Sequence, residues 1–341
     1  MTAFAVLPER ERVDRIAEAA DRLNVSPVIA EKDFWVCWIL ERIFSTPELV
    51  PHVVFKGGTS LSKVFGAIRR FSEDVDLSIS PALLGWDESD LDDAPSKTMR
   101  VKRFARLETA CADHVQGDLR RALEGHVREV LGAPPNAGGW LTSAFDETHR
   151  SPVLVFEYPS TLPPEAGYIT PSVKMEFGSL TDQRPIGTHC IRPLLAEVLP
   201  GDFDDWRANV VALEIERTFW EKATILHAEH HRPAGQSIRD RLARHYSDFA
   251  SLWQHPAREH ALDRLDLLER VAVFKGRFFA SPWASYASAT PPTLRLCPPR
   301  HREPALARDY AKMEGMFLGQ PPRYADMLRV LREAEETINA R

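Results

Sequence analysis

The chain has 341 residues, of which 44% are hydrophobic and 27% are charged, and its formal net charge is -6. This length predicts two lobes, and the negative net charge argues against a general nucleic-acid coat protein while leaving room for a local basic groove. The four cysteines form no CxxC pair, so neither a zinc knuckle nor a disulfide framework is expected. The sequence shows no signal peptide and no membrane-spanning run, so a cytoplasmic location is expected.

The first two hundred residues mix helix-like and strand-like patterns of apolar residues. Helices are predicted at 13–23, 28–44, 60–68 (opened by Thr59) and 99–131, and strands at 53–55, 75–79, 153–158 and 172–177. Segment 81–95 is acidic and is predicted to be a loop, as is the Pro- and Gly-rich connection between the last two strands.

Helical patterns dominate beyond residue 211, at 213–230, 239–253, 261–279, 305–317 and 322–338. The simplest account is a two-lobed α/β (α+β) protein. Residues 1–205 would form a lobe with a mixed sheet, and residues 206–341 a helical lobe that completes the active-site cleft.

Two glycines stand between the predicted strand at 53–55 and the helix that follows, in the segment 57–63, Gly-Gly-Thr-Ser-Leu-Ser-Lys. Glycine lets backbone N–H groups approach a ligand, and a helix N-terminus favours an anion such as a triphosphate. The expected nucleotide-binding residues are therefore Gly57, Gly58, Thr59, Ser60 and Lys63. The segment is not a Walker A loop, which has the order Gly-Lys-Ser/Thr. A tight strand-to-helix turn is the alternative interpretation.

Two aspartates follow in the segment 71–77, Phe-Ser-Glu-Asp-Val-Asp-Leu. On a strand, Asp74 and Asp76 project to the same face with their Cβ atoms about 7 Å apart. Neighbouring carboxylates repel each other unless a divalent cation lies between them, and Mg²⁺ prefers such oxygen ligands together with substrate phosphates. The sequence thus predicts an Mg²⁺ site, with Mn²⁺ as the alternative metal. A solvated acidic strand is the other interpretation.

The two segments together resemble motifs I and II of the AbiEii/AbiGii nucleotidyltransferase toxins, which belong to the DNA polymerase β-like nucleotidyltransferase superfamily. The segment 31–35, Glu-Lys-Asp-Phe-Trp, is also in keeping with this family. In the superfamily a third metal-binding carboxylate often comes from a later strand. The resemblance implies Glu176 for this role, with Glu157 as the alternative.

Two later segments resemble motifs III and IV of the same family. Segment 214–224 contains a Glu-Lys pair on a predicted helix, and segment 241–253 contains Arg-His-Tyr-Ser-Asp-Phe at 244–249. The resemblance implies that Lys222 reaches the nucleotide phosphates and that Asp248 orients it or completes the site. Relatives more often carry a basic residue or Asp where this chain has His245 and Ser247. Arg239, Arg241 and Arg244 are the expected substitutes for phosphate contacts there, and Arg244 is the candidate nucleotide-binding residue among them. A Lys–Asp salt bridge between packed helices is the alternative interpretation.

Three further features are candidates for function. Ser72 lies beside the aspartates and is a candidate nucleotide ligand and, by resemblance, a candidate for phosphorylation or self-modification. The basic stretch 100–121 is a solvated helix face or a contact for a nucleic-acid backbone. His227 and His231 lack the HExxH order of zinc proteases and are expected at a helix C-terminus or in the cleft.

The resemblance implies a Mg²⁺-dependent toxin that transfers a nucleoside monophosphate from a nucleoside triphosphate to an RNA acceptor. The favoured acceptor is the tRNA 3′ end, and its modification would block translation. A cognate antitoxin is implied, as in type IV toxin–antitoxin or phage-defence pairs. Protein nucleotidylation, modification of a small molecule and a non-catalytic nucleotide-binding module remain alternatives, and the sequence leaves the triphosphate and the oligomeric state open.

Overall fold

The computed structural model describes residues 1–47, 49–87, 96–147, 150–162, 170–201, 205–279 and 281–341. The second part of the predicted loop 81–95 and the middle of the Pro- and Gly-rich connection lie outside the described residues. The chain divides into a first unit, residues 1–64 and 72–212, and a second unit, residues 65–71 and 213–341.

The first unit contains short and long helices around one sheet. Its described helices are α1 (Thr2–Ala5), α2 (Glu9–Leu23), α3 (Pro27–Phe44), α4 (Gly57–Lys63), α5 (Lys97–His114), α6 (Arg120–Leu131) and α7 (Leu195–Val198). A π-helical turn, Val115–Leu119, joins α5 to α6, so the helix predicted at 99–131 continues through this turn. Helix α3 begins where the Ser26 side chain accepts the N–H of Val28, with a proline in the first turn.

The described strands of this unit form a seven-stranded mixed sheet in the order β3-β4-β5-β2-β1-β7-β6. They are β1 (Val53–Lys56), β2 (Val75–Ile79), β3 (Leu141–Asp146), β4 (Ser151–Phe156), β5 (Val173–Gly178), β6 (Ile186–Ile191) and β7 (Ala208–Leu213). The sequence predicted β1, β2, β4 and β5 but missed the other three. Strands β3 and β6 carry mostly exposed side chains, so they lack the apolar alternation that marks a strand.

The register of the central strands positions the acidic residues. Strand β1 pairs antiparallel with β2 and places Lys56 opposite Asp76. Strand β5 pairs with β2 in parallel and places Glu176 beside Asp76. Strand β7, which follows the boundary expected near residue 205, pairs in parallel with β1 through Phe55 and Ala212.

Helix α4 differs from the helix predicted at 60–68. It begins at Gly57 and ends at Lys63, so both glycines belong to its first turn and its N-cap is Lys56 rather than Thr59. The residues that follow, 65–71, belong to the second unit. There the Phe71 N–H donates to the Met316 carbonyl at 2.6 Å, and the Leu318 N–H donates to the Arg69 carbonyl at 2.9 Å. Residues 69–71 therefore pair with the segment 316–318 and do not continue the predicted helix.

The second unit is helical, as the sequence predicted. Its described α-helices are α8 (Ile215–His231), α9 (Ala243–Gln254), α10 (Ala257–Leu262), α11 (Leu265–Phe278), α12 (Glu303–Ala311) and α13 (Tyr324–Asn339). The helix predicted at 261–279 is interrupted, because α10 ends and α11 begins on either side of residues 263–264. None of the helices in the described part of the chain is both long and apolar enough to cross a bilayer.

Candidate active site

The start of α4 lies directly against the acidic strand β2. Gly57 has a backbone φ of +82°, a conformation that residues with a Cβ rarely adopt. A Cβ built on Gly57 would lie 2.0 Å from Oδ2 of Asp76, which is far inside van der Waals contact. Glycine is therefore required at this position both by the backbone and by the carboxylate that packs on it.

The hydroxyl groups of Thr59 and Ser60 bind the protein backbone. The Thr59 hydroxyl lies within donating distance of the Ser72 carbonyl, at 3.2 Å, and of the Asp74 carbonyl. The Ser60 hydroxyl donates to the Gly57 carbonyl at 3.0 Å. A hydroxyl has a single hydrogen to donate, so neither group has a donor left for a phosphate oxygen in this state. Thr59 instead joins α4 to the segment that leads into β2.

Asp74 and Asp76 form no ion pair within 4.0 Å among the residues that the structure describes. Burial raises the pKa of Asp74, and the negative charges of Glu73, Glu176 and Asp76 raise it further. The charge of Lys174 acts in the opposite direction, but burial and the neighbouring carboxylates outweigh it.

Glu176, predicted as the third carboxylate, is engaged by a lysine. The Lys174 ammonium lies 2.5 Å from the nearer carboxylate oxygen of Glu176 and 3.6 Å from that of Asp146. Burial alone would lower the pKa of Lys174, but its contacts with Glu176 and the charges of Asp74 and Asp146 raise it. Lys174 thus pairs with Glu176 and Asp146, and Asp74 and Asp76 are left without an ion pair among the described residues.

This pair suits a divalent cation that the nucleotide helps to hold. Across the described ranges, no group of three His, Cys, Asp or Glu side chains is assembled for metal binding. Mg²⁺, however, usually takes one or two carboxylates and completes its shell with substrate phosphates and water. Asp74 and Asp76 fit that requirement, because both offer hard oxygen ligands that carry no competing ion pair.

Lys63, predicted to bind phosphate, forms an ion pair with Asp33 of α3. Both side chains are largely buried. Burial would lower the pKa of Lys63, but the charge of Asp33 and its hydrogen bond raise it. The ammonium at the end of α4 is therefore neutralised inside the first unit.

The second unit contains a separate buried network in which two cations share one carboxylate. Arg70 donates through Nε to Asp248 Oδ1 at 2.7 Å and through a terminal nitrogen to Asp248 Oδ2 at 2.8 Å. Lys222 donates to the same Oδ2 at 2.7 Å. This is the Lys–Asp bridge between helices α8 and α9 that the sequence allowed, with Arg70 as an additional member that the sequence did not reveal.

Electrostatics within this network favour unprotonated Asp248 and neutral His245. Burial would raise the pKa of Asp248, but Arg70 and Lys222 hold it well below its ordinary value. Nδ1 of His245 accepts a hydrogen bond from Lys222 at 3.3 Å, since an ammonium can only donate. Burial, followed by the charges of Lys222 and Arg244, lowers the pKa of His245 well below its ordinary value. Arg244 acts on this network through its charge.

A cavity of about 340 Å³ adjoins the network within the second unit. Polar side chains including those of Arg69, Ser247 and Gln254 line it, and Phe317 supplies an aromatic wall. The cavity is large enough for a small polar ligand or for one base of a nucleic acid.

The histidines at the end of α8 stabilise the second unit. His227 is fully buried, accepts the Arg295 N–H at 3.0 Å through Nδ1, and lies 3.0 Å from the Ser285 carbonyl through Nε2. His230 contacts the Cys297 carbonyl at 2.7 Å, and His231 contacts the His227 carbonyl at 2.9 Å. These contacts fasten the segment 285–297 to α8 and give the histidines a structural role.

A profile of the nucleotidyl transferase AbiEii toxin family of type IV toxin–antitoxin systems matches residues 38–336. The structure is similar to MenT4, a nucleotidyltransferase toxin from Mycobacterium tuberculosis H37Rv, with a TM-score of 0.50 and 15% sequence identity over 95% of this chain and 89% of that one.

JHP933 from Helicobacter pylori is a more distant match, with a TM-score of 0.40 and 13% identity over 93% of this chain and 94% of that one. No curated protein matches the chain. The family match spans most of the chain and includes the glycine segment 57–63, the acidic segment 71–77, Lys222 and Asp248. The chain therefore belongs to the AbiEii nucleotidyltransferase toxin family.

Proposed function

We propose that this toxin transfers a nucleoside monophosphate from a nucleoside triphosphate to the 3′ end of a tRNA, and that Asp74 and Asp76 hold the divalent cation for this reaction. The observation that carries the proposal is the contact between Gly57 and Asp76. This contact brings the start of α4, which contains two glycines, next to Asp76, one of the two carboxylates that form no ion pair. A helix start favours a triphosphate, and the carboxylates favour the metal ion that accompanies it.

In this reaction the acceptor hydroxyl loses its proton and forms a bond to the α-phosphorus, while the bond from the α-phosphorus to the leaving pyrophosphate breaks. When bound, Mg²⁺ or Mn²⁺ neutralises charge on the triphosphate and on the attacking oxygen. The chain supplies the positioning. Asp76 is held by β2 and by Gly57, and the Asp74 backbone is held by Thr59. The backbone N–H groups at the start of α4 bind the triphosphate.

Lys222 and Asp248 are proposed to serve the transfer from the second unit. Lys222 supplies positive charge to the transferring phosphate, and Asp248 fixes the position of its ammonium through the 2.7 Å hydrogen bond. Burial lowers the pKa of Lys222 although the charge of Asp248 raises it, and Arg70 and Arg244 add positive charge nearby.

An RNA acceptor is favoured by the basic face of α5. Lys102 and Arg106 are exposed on this helix. Other basic residues of the predicted stretch have partners in the protein, since Arg121 pairs with Asp118 and Arg120 donates to the Gln116 carbonyl at 3.2 Å. Exposed cations bind phosphates along a nucleic-acid backbone. A tRNA target would place the toxin's action in the cytoplasm, and a cognate antitoxin would restrain it.

The test is incubation of the purified protein with Mg²⁺, total tRNA and each α-³²P-labelled nucleoside triphosphate in turn. The variant Asp74→Asn removes one carboxylate charge, and Asp21→Asn on the exposed face of α2 is the matched control. We expect labelled tRNA with the wild type and the control, and a loss of label with Asp74→Asn.

Periodate oxidation of the tRNA identifies the acceptor atom, because it destroys the terminal 2′,3′-diol. Loss of labelling after oxidation supports transfer to the 3′ end. Label on protein with none on RNA would contradict the RNA acceptor and support protein nucleotidylation. The absence of label with all four nucleotides would contradict the proposed transfer itself.

A further inference from the structure

Three consecutive charged residues are buried in the first turns of α3. Glu31, Lys32 and Asp33 are each exposed by 2% or less. Burying a charge is costly unless it is paired and hydrogen-bonded. Successive residues on a helix point about 100° apart, so three in a row face three different parts of the surroundings. Each of them must therefore have its own partner.

Asp33 contacts the end of helix α4. Its carboxylate pairs with Lys63, the last residue of that helix, and its Oδ2 accepts the Leu194 N–H at 2.6 Å. The helix that begins at Gly57 is thus fixed at its other end by a buried ion pair.

Lys32 contacts the segment that carries the metal-binding aspartates. Its ammonium lies 2.8 Å from Oε2 of Glu73 and donates to the Thr170 carbonyl at 3.0 Å. Glu73 immediately precedes Asp74 in the chain. The side chain of Lys32 is 3% exposed and that of Glu73 is 11% exposed, so water screens this pair little.

Glu31 contacts a third segment. Its carboxylate accepts hydrogen bonds from the Ser160 hydroxyl at 2.7 Å, the Thr161 N–H at 2.8 Å and the Thr161 hydroxyl at 3.0 Å. One turn of α3 therefore holds α4, the entrance to β2 and the segment after β4.

We propose that Glu31, Lys32 and Asp33 form a positioning cluster that sets the geometry of the glycine turn relative to Asp74 and Asp76. In this assignment Lys63 anchors α4 through Asp33 rather than binding phosphate. The ion pairs of Lys32, Lys63 and Lys174 neutralise Glu73, Asp33 and Glu176, which leaves Asp74 and Asp76 as the carboxylates that bind the cation.

The catalytic role of the positioning cluster rests on the proposed function. Its structural role can be tested in the protein without a substrate. Without the Lys32–Glu73 pair, the segment before Asp74 loses a buried tether. Displacements of about 1 Å in a catalytic site can reduce rates about 100-fold. We therefore expect Lys32→Met to lower kcat by about 10- to 100-fold, with a much smaller change in KM for the nucleotide.

The discriminating variant is the double substitution Lys32→Met/Glu73→Leu. It leaves neither partner of the pair as an unpaired buried charge, so the thermal unfolding midpoint should recover toward the wild-type value. If the pair positions the site, kcat stays low in this variant, and in the unliganded protein the amides of residues 57–60 and 74–76 exchange with deuterium faster than in the wild type.

The matched control is Glu124→Gln, because Glu124 also holds a neighbouring segment by accepting backbone N–H groups, those of Trp140 and Leu141. The segment that Glu124 holds is the start of the edge strand β3. This control should speed exchange near residues 140–141 and leave kcat and the exchange of residues 57–60 and 74–76 unchanged.

A double variant with wild-type kcat and wild-type exchange at residues 57–60 and 74–76 would overturn the positioning cluster. If the wild type labels no RNA, the proposed function fails, but the exchange measurement in unliganded protein still decides the positioning cluster by itself. Faster exchange at both segments then supports the cluster, and unchanged exchange contradicts it.

Discussion

The two units of this toxin use buried ion pairs to opposite effect. In the first unit Lys32 and Lys63 each pair with one buried carboxylate, and the more exposed Lys174 pairs with Glu176 and Asp146. Among the described residues, Asp74 and Asp76 are left without an ion pair. In the second unit two cations, Arg70 and Lys222, share the single carboxylate of Asp248. The first arrangement leaves an excess of negative charge and the second an excess of positive charge.

The difference shows how pairing prepares a charged site. Unpaired carboxylates favour a divalent cation, and a surplus of cations favours phosphate. The transfer proposed above would use both, because a metal would neutralise charge on the triphosphate and further positive charge would stabilise the transferring group.

The largest effect is expected at the glycine that packs on Asp76. The change Gly57→Ala places a Cβ 2.0 Å from the Asp76 carboxylate and should lower nucleotidyl transfer by about 100-fold or more, because the carboxylate must move. The control Gly85→Ala has a similar positive φ, but a Cβ there meets no atom within 4 Å. Equal activity losses in the two variants would show that the contact with Asp76 is unimportant.

The next effect concerns the stability of the second unit. The change Asp248→Asn removes the charge that Arg70 and Lys222 share in a buried setting. We expect a loss of about 3–5 kcal/mol in the free energy of unfolding, measured with urea. Asp266→Asn breaks an exposed ion pair with Arg264 and should cost less than about 1 kcal/mol. A loss at Asp248 as small as this control would refute the shared-carboxylate network.

A third prediction concerns acid sensitivity in the second unit. Burial, together with the charges of His231, His230 and Arg295, lowers the pKa of His227 to about 4 despite the raising effect of its bond to Ser285. As the pH falls, the unfolded chain therefore binds a proton at His227 at a higher pH than the folded chain does. The folded protein loses stability relative to the unfolded chain as the pH falls from about 6.5 toward 4.

The measurement is urea unfolding of the wild type and His227→Gln at pH 7.5 and pH 5. The wild type should lose on the order of 2 kcal/mol more than the variant between these values. Identical pH dependence in the two proteins would contradict a buried neutral His227.

The smallest effect is expected on the basic face of α5. Replacing Lys102 and Arg106 by Gln should raise KM for tRNA a few-fold. A plot of the logarithm of the tRNA-binding constant against the logarithm of the salt concentration should become shallower, by about 0.9 in slope for each phosphate that the variant no longer neutralises. Arg121→Gln is the control, because Arg121 already pairs with Asp118. A salt slope unchanged from the wild type would remove this face from the RNA-binding surface.

The sequence predicted the mixed α/β and helical parts, because their apolar periodicities are strong, and the fold prediction is confirmed. It also placed the glycines directly after strand β1 and Asp76 on the next strand, where the structure has them, whereas Asp74, predicted on the same strand, lies just before β2. Strands β3 and β6 were missed, since partly exposed strands lack a clear apolar alternation.

The partners of charged side chains were harder to predict. Glu31, Lys32 and Asp33 could be recognised as unusual, because three charges in a row precede an apolar helix. Their partners, among them Glu73 and Lys63, are distant in sequence, and a single chain gives no signal for such pairs. Arg70 was missed for the same reason, since it reaches Asp248 across 178 positions.

Asp74 and Asp76 are proposed to form the cation-binding pair of this nucleotidyltransferase. The most direct test is the binding of Mn²⁺, followed by electron paramagnetic resonance, to the wild type, Asp74→Asn/Asp76→Asn and the control Asp113→Asn, each with a nonhydrolysable nucleoside triphosphate. We predict tight Mn²⁺ binding by the wild type and the control, and an affinity at least about 10-fold weaker in the double variant. Wild-type Mn²⁺ affinity in the double variant would contradict the account.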